Sequence, residues 1–131
     1  MEATAVASKT VLLVDDDPFQ LDITSLFFKE KGFEVLQTTD PERAYELAEE
    51  RHPDLIISDI NMPGIDGLTL CKGFKNNRIT NQIPLVFISG NKLATDLQEG
   101  FASGATLYFL KPIDWKDAWP QIQALLPTVQ S

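Results

Sequence analysis

The chain has 131 residues, of which 44% are hydrophobic and only one is cysteine, and its formal net charge is -8 at pH 7. This length suits one domain with its own core, and the single cysteine excludes an internal disulfide and fits a reducing, cytoplasmic location. The acidic balance argues against direct binding of nucleic acid, and no apolar run approaches the roughly 20 residues of a membrane span.

Segments typical of strands and of helices alternate along the chain. Residues 1–8 lack the basic start and apolar core of a secretory signal, and we expect a disordered lead-in there. Thr10–Val14 is predicted to be a buried strand, because its apolar residues run without polar alternation. A helix should follow, with Asp17 as its N-cap, Pro18 as its first residue and Gly32 at its end. Its inner face is expected to carry four apolar residues at helical spacing: Phe19, Ile23, Leu26 and Phe27.

The rest of the chain continues this alternation. Four further strands are predicted at Phe33–Gln37, Leu55–Ser58, Leu85–Ile88 and Thr106–Leu110. Four further helices are predicted to open at Asp40, at Asp66, at Asn91 and after Asp114. The last of them should end near Leu126, leaving residues 127–131 as a tail. Pro120 lies inside this helix, where it removes a hydrogen bond and predicts a kink or a late start.

Five strand-then-helix units predict a parallel sheet with helices on both faces, because the crossovers must be right-handed. Of the two common doubly wound orders, the five-stranded flavodoxin-like order 2-1-3-4-5 fits the length better than the six-stranded one. The loop after the first strand is acidic and lacks the glycine motifs of dinucleotide and P-loop sites. A backbone cradle for phosphate is therefore excluded there, and a metal site is favoured.

Polar residues with candidate chemistry follow the first, third, fourth and fifth predicted strands. They are Asp15, Asp16 and Asp17 after the first strand, Asp59 after the third, Ser89 after the fourth and Lys111 after the fifth. An isolated run of three aspartates would be a solvated charge run with a helix cap. Ligands of open α/β sheets, however, bind outside the carboxyl ends of the strands, so these side chains should share one site. Several carboxylates together suit a hard cation such as Mg²⁺.

Asp59 is the candidate nucleophile, because a carboxylate can attack phosphorus and form an aspartyl-phosphate. A cation would shield its charge from the incoming phosphoryl oxygens. The turn that begins at Asn61 is suited to direct the backbone carbonyl of Asn61 toward that cation. Ser89 is a candidate hydrogen-bond donor to a phosphoryl oxygen, and Lys111 a candidate counter-charge.

These motifs resemble the receiver domain of two-component response regulators. The likeness rests on VLLVDDDP, DLIISDINMPGIDG, PLVFISG and GATLYFLKP, and it covers about residues 9–126, nearly the whole chain. It implies that Asp15 and Asp16 are the acidic pair that binds Mg²⁺. It also implies that Asp59, the phosphoacceptor, and the backbone carbonyl of Asn61 complete the protein ligands.

The resemblance implies a switch as well as a phosphorylation site. A histidine kinase or phosphotransfer protein would donate a phosphoryl group to Asp59, with self-catalysed transfer and autodephosphorylation as the only chemistry. Ser89 would be the switch hydroxyl, Lys111 the lysine that faces the phosphoryl group, and Tyr108 the aromatic residue that turns inward. The face formed by the fourth helix, fifth strand and fifth helix would then change shape and act on a downstream protein or an output domain. We expect a monomer or a weak phosphorylation-dependent dimer, with no membrane partner.

Two other functions remain open from the residues. A small phosphatase of the haloacid dehalogenase type would use Asp15 as its nucleophile and Asp17 as its second acid, but Phe19 stands where that family commonly has a hydroxyl residue. An inert interaction module of flavodoxin-like fold would use none of the polar set. The position of the phosphorylated residue separates the three functions: Asp59, Asp15 or none.

Overall fold

The computed structural model describes residues 9–60, 62, 66–90 and 94–126, and these ranges contain five strands alternating with five helices. The strands are β1 (Thr10–Val14), β2 (Glu34–Thr38), β3 (Leu55–Ser58), β4 (Leu85–Ser89) and β5 (Leu107–Leu110). The helices are α1 (Pro18–Glu30), α2 (Pro41–Arg51), α3 (Gly67–Lys75), α4 (Ala94–Ala102) and α5 (Trp115–Gln123). Among the described residues, no helix is both long and apolar enough to cross a membrane.

The strands form one parallel sheet in the order β2-β1-β3-β4-β5, so the predicted doubly wound fold is confirmed. Val14 is in register with Ser58, the last residue of β3. Ser89 is in register with Leu110, the last residue of β5. Because parallel neighbours end level with each other, the residues that follow β1, β3, β4 and β5 lie along one edge of the sheet.

The sheet has a separate hydrophobic core on each face. Alternate residues of a strand point to opposite faces, so Leu12 and Ile56 pack with residues of α2 and α3, while Val11 and Ile57 pack with residues of α1 and α5. The apolar side chains of β1, β3 and β4 are buried, so the polar edge of the sheet lies on a closely packed core.

Four helices are each preceded by an aspartate whose carboxylate accepts a hydrogen bond from a backbone N–H of the first turn. The caps are Asp17, Asp40, Asp66 and Asp114. The N-caps predicted for α1, α2, α3 and α5 are therefore confirmed. The predicted start of α4 at Asn91 lies outside the described residues, and this helix ends at Ala102, just before the left-handed Gly104.

The predicted inner face of α1 is wrong for three of its four residues. The side chains that α1 buries are Leu21, Thr24, Ser25 and Phe28. Phe19, Ile23 and Leu26 are 72%, 44% and 64% exposed. The physical reason is that α1 is apolar on more than one side, so the spacing of its apolar residues does not single out the side that faces the sheet. The fourth residue, Phe27, packs against the core.

Helix α5 begins at Trp115 and runs without interruption through Pro120 to Gln123, so the predicted late start is wrong. A kink at Pro120 stays a prediction. Aromatic contacts hold this helix against α1: Trp115 stacks on Phe27 with 4.2 Å between ring centroids, and Trp119 lies edge-on to Phe27 at 5.7 Å. Trp119 precedes the proline and the buried Ile122 follows it, so the helix is packed on both sides of the residue that removes a hydrogen bond.

Candidate functional site

Three carboxylates meet where β1 and β3 end. Asp15, Asp16 and Asp59 each offer an oxygen within 4.8 Å of the other two. Asp15 and Asp59 are buried and Asp16 is exposed. Three oxygen donors of this kind fit a hard divalent cation, and Mg²⁺ characteristically takes carboxylates and waters. The carbonyl of Asn61, the other predicted ligand, lies outside the described residues.

The third aspartate of the run, Asp17, has a different place. Its carboxylate caps α1 by accepting a hydrogen bond from the N–H of Phe19 at 3.0 Å. The N–H of Asp17 in turn donates to Oδ1 of Asp15 at 3.0 Å. The run of acids is therefore divided between a helix cap and the carboxylate cluster.

Local hydrogen bonds fix the orientation of Asp59. Its Oδ1 accepts from the N–H of Ile60 at 2.7 Å, and its backbone carbonyl accepts from the hydroxyl of Ser58 at 2.7 Å. Its own N–H donates to the carbonyl of Val14 at 3.0 Å, which extends the β1–β3 pairing by one residue. The carboxylate is therefore held at a fixed place on the edge of the sheet.

Lys111 faces two of the carboxylates. Its Nζ lies 3.3 Å from Oδ2 of Asp59 and 3.4 Å from Oδ2 of Asp15. Burial disfavours the charged amine, but the attraction of Asp59 and Asp15 outweighs burial and raises the pKa of Lys111. The lysine is therefore a fixed positive charge beside the candidate nucleophile.

At Asp15, in contrast, the effect of burial on the pKa outweighs the attraction of the nearby positive charge. Burial raises the pKa of this carboxyl group, and the nearby charge of Asp59 adds to the rise. The hydrogen bond from the N–H of Asp17 and the charge of Lys111 lower the pKa only in part. The charged form of Asp15 is therefore less favoured than that of an exposed aspartate, and a bound cation would favour it.

Ser89 and Tyr108 lie on the neighbouring strands β4 and β5. Ser89 is fully buried at the end of β4, and its carbonyl accepts a hydrogen bond from the N–H of Lys111 at 2.9 Å. Tyr108 is half-buried, with its ring 6.1 Å from that of Phe87 and 6.5 Å from that of Phe101. The structure thus ties Ser89 to Lys111 and places Tyr108 under α4. The switch roles of Ser89 and Tyr108 stay predictions.

Two groups that hold Asp59, the Ser58 hydroxyl and the Ile60 N–H, were not predicted from the sequence. A polar residue that closes the apolar run LIIS directly before Asp59 was the available signal for Ser58. The backbone bond from Ile60 left no signal in the residue types.

A cavity beside Asp59 is lined from β1, β3, β4 and α1 by residues that include Leu13, Gln20, Thr24, Ile57 and Ile88.

Comparisons with known proteins point to one family. The family model described as the response regulator receiver domain matches residues 11–122. The DNA-binding dual master transcriptional regulator RpaA of Synechocystis sp. is 34% identical over 116 residues, which are 88% of this chain and 48% of RpaA. The transcriptional regulatory protein PrrA of Mycobacterium tuberculosis is 33% identical over 123 residues, which are 94% of this chain and 52% of PrrA. The chain spans about half the length of these relatives.

Solved structures agree with the fold. A putative response regulator from Chloroflexus aurantiacus matches with a TM-score of 0.85 and 28% identity, over 91% of this chain and 98% of that chain. The chemotaxis protein CheY4 of Vibrio cholerae matches with a TM-score of 0.85 and 29% identity, over 92% of this chain and 100% of that chain. Both similarities extend over almost the whole sheet and its helices.

Proposed function

This chain belongs to the family of response regulator receiver domains, and from that premise we propose that it accepts a phosphoryl group on Asp59 in a Mg²⁺-dependent reaction. The observation that carries the proposal is the contact at 3.3 Å between Lys111 Nζ and Asp59 Oδ2, beside two further carboxylates. A lysine and a carboxylate cluster lie together where the strands end. They provide a nucleophile and charges that can balance a phosphoryl group.

Each residue of the site has a distinct part in this reaction. Asp15, Asp16 and Asp59 would hold Mg²⁺, which supplies screening of negative charge between carboxylate and phosphoryl oxygens. An oxygen of Asp59 forms the new bond to phosphorus as the bond from phosphorus to the donor nitrogen breaks. Lys111 remains beside the phosphorylated carboxylate and offsets its added charge. Catalysis is mostly alignment and charge balance.

The proposed donor is a histidine kinase or a phosphotransfer protein, and the exposed side of α1 is where we place it. Phe19, Ile23 and Leu26 form an exposed apolar stripe at the spacing of one helical face, which fits packing against another helix. The next residue along the helix from Phe19, Gln20, lines the cavity beside Asp59. A groove from Gln20 and Ile23 to Pro112 and Ile113 extends this surface. A partner seated there can present a phosphohistidine to the site.

The proposed response runs from the phosphoryl group to the α4–β5–α5 face. Ser89 donates a hydrogen bond to a phosphoryl oxygen, and Tyr108 turns toward the space beside it. A local charge change thereby biases a two-state element. Because RpaA and PrrA are named as transcriptional regulators, we propose that the signal reaches a downstream protein or an output domain.

The substitution Asp59→Asn tests the phosphoacceptor. We expect it to abolish labelling by acetyl phosphate and Mg²⁺, because an amide does not attack phosphorus, while the domain stays folded. Intact mass and peptide mapping under conditions that preserve acyl phosphates measure this, and circular dichroism checks the fold. The matched control is Asp17→Asn, which keeps a capping oxygen and should label as the wild type does. Labelling of the Asp59→Asn variant at Asp15 would contradict the proposal and favour the phosphatase alternative.

A further inference from the structure

The first residue of α3 lies directly against the backbone of the candidate phosphoacceptor. The N–H of Gly67 donates to the carbonyl of Ile60 at 2.7 Å. A Cβ added to Gly67 would lie 2.3 Å from the backbone oxygen of Asp59 and 2.6 Å from the Cα of Ile60. Both neighbours are backbone atoms, which cannot rotate away as a side chain would. Any residue other than glycine therefore displaces either the helix or the end of β3.

Glycine is not needed here for its backbone conformation. The described glycines with positive φ are Gly32 and Gly104, and Gly67 is not among them. In a helical backbone, alanine is the more stabilising residue, because glycine loses more conformational entropy on folding. The close approach to Asp59 is consequently the physical reason for glycine at this position.

Two hydrogen bonds connect α3 to the reactive carboxylate. The Gly67 N–H holds the Ile60 carbonyl, and the Ile60 N–H holds Oδ1 of Asp59 at 2.7 Å. Asp66 fixes the first turn of the helix, since its carboxylate accepts from the N–H of Thr69 at 2.8 Å. The orientation of the Asp59 carboxylate therefore depends on where the N-terminus of α3 sits.

We propose that Gly67, together with the capped first turn of α3, is a positioning element for phosphoryl transfer: it holds the Asp59 carboxylate in its reactive orientation. The inference rests on the proposed function of Asp59 as phosphoacceptor. In this role α3 aligns the Asp59 carboxylate with the phosphoryl donor. Displacing a reacting group by about 1 Å can slow a reaction by up to about a hundredfold.

The first test compares two alanine substitutions in the same helix. At Gly73 an added Cβ meets the hydroxyl end of the Tyr45 side chain and no backbone atom of another element. We expect Gly67→Ala to slow labelling by acetyl phosphate at saturating Mg²⁺ at least tenfold, and Gly73→Ala to leave it unchanged. Rates are normalised to the folded fraction, so a purely structural role would not change them. The Ile60 amide resonance should shift only in Gly67→Ala.

A second pair of variants decides the matter if Gly67→Ala does not fold. Asp66→Ala removes the cap of α3, and Asp40→Ala removes the equivalent cap of α2, which accepts from the Glu42 N–H at 2.9 Å. Both should lower the melting temperature to a similar extent, but only Asp66→Ala should slow labelling, by several-fold.

The outcomes separate this inference from the proposed function. A wild-type chain that takes no phosphoryl group on Asp59 overturns the function itself. A folded Gly67→Ala variant that labels at the wild-type rate, or equal labelling rates in Asp66→Ala and Asp40→Ala, overturns only the positioning role.

Discussion

The charge state of Asp15 depends on its burial and on the charges beside it. Burial raises the pKa of its carboxyl group above the unfolded value, so the folded state binds this proton more tightly than the unfolded chain does. The contribution of Asp15 to stability is therefore greatest at acid pH and is lost as pH rises through its raised pKa. At neutral pH the ionised carboxylate lowers the stability of the cation-free domain.

Replacing Asp15 should consequently stabilise the cation-free protein. We expect Asp15→Asn to raise the melting temperature by a few degrees in EDTA at pH 7, because an amide keeps the bond from the Asp17 N–H without the buried charge. The gain should shrink as pH falls toward 4. Thermal unfolding across this pH range measures the effect, with the exposed Asp22→Asn as control. The same variant should bind Mg²⁺ more weakly in a titration of intrinsic fluorescence. If the melting temperatures of the wild type and of Asp15→Asn changed in parallel with pH, a raised pKa of Asp15 would be refuted.

The strand-end residues were predictable because parallel-sheet geometry alone brings them together. Asp15, Asp59 and Lys111 each follow an apolar run, and parallel strands end at a common edge. The hydrogen bond from the Ile60 N–H to Asp59 was not predictable. It depends on the local path of the chain after β3, which the residue types alone do not define.

At the scale of the elements, α1 shows what helical spacing cannot resolve. Its buried side includes the small polar residues Thr24 and Ser25, and its exposed side includes Phe19 and Leu26. Hydrophobicity alone therefore selects the wrong side, whereas packing against the sheet selects the side on which Phe28 fits the core. The large apolar residues left outside are what a partner helix can contact.

The exposed stripe of α1 can be separated experimentally from the core. We expect Leu26→Ala to leave stability nearly unchanged and to slow phosphotransfer from a purified histidine phosphotransfer domain that labels the wild type. Labelling by acetyl phosphate should not change, because that small donor needs no docking surface. Leu21→Ala on the buried side is the contrasting variant, and it should lose about 2–4 kcal/mol of stability. Equal slowing of both donors by Leu26→Ala would argue against docking on α1.

Element boundaries departed from prediction where a hydrogen bond or tertiary packing overrode the pattern. β2 starts at Glu34 rather than Phe33, because the Phe33 N–H is used by the carbonyl of Phe28 at the end of α1. The path of α5 through Pro120 follows from the tryptophan contacts with α1, which exist only in the folded chain. Single-residue propensity does not contain such contacts.

At the scale of the whole molecule, few residues separate the carboxylate cluster from the α4–β5–α5 face. Lys111 contacts Asp59 through its side chain and Ser89 through its backbone N–H. Three residues earlier on β5, the ring of Tyr108 lies against α4 at Gly100, where an added Cβ would be 2.9 Å from the ring. Asp59 therefore lies only two strands away from the Tyr108 ring that packs under α4. This short distance suits coupling between the charge on Asp59 and the position of the ring.

The proposed coupling predicts different defects for Ser89→Ala and Lys111→Ala. Ser89→Ala should still accept a phosphoryl group on Asp59 but shift its conformational equilibrium poorly. Loss of a hydrogen bond to a charged group, about 1.5–3 kcal/mol, corresponds to roughly tenfold or more in that equilibrium. Lys111→Ala should impair the response further, because it removes a full charge facing the phosphoryl group.

NMR shifts around Tyr108, recorded with and without beryllofluoride as a phosphoryl mimic, measure this response in each variant. Thr106→Ala, which removes an exposed hydroxyl near the other end of β5, is the matched control and should respond as the wild type does. A full response in Ser89→Ala would break the proposed path from phosphoryl group to hydroxyl to aromatic ring. The signal would then have to reach α4 through Lys111 and β5 alone, and Lys111→Ala would be the only one of the two variants to lose it.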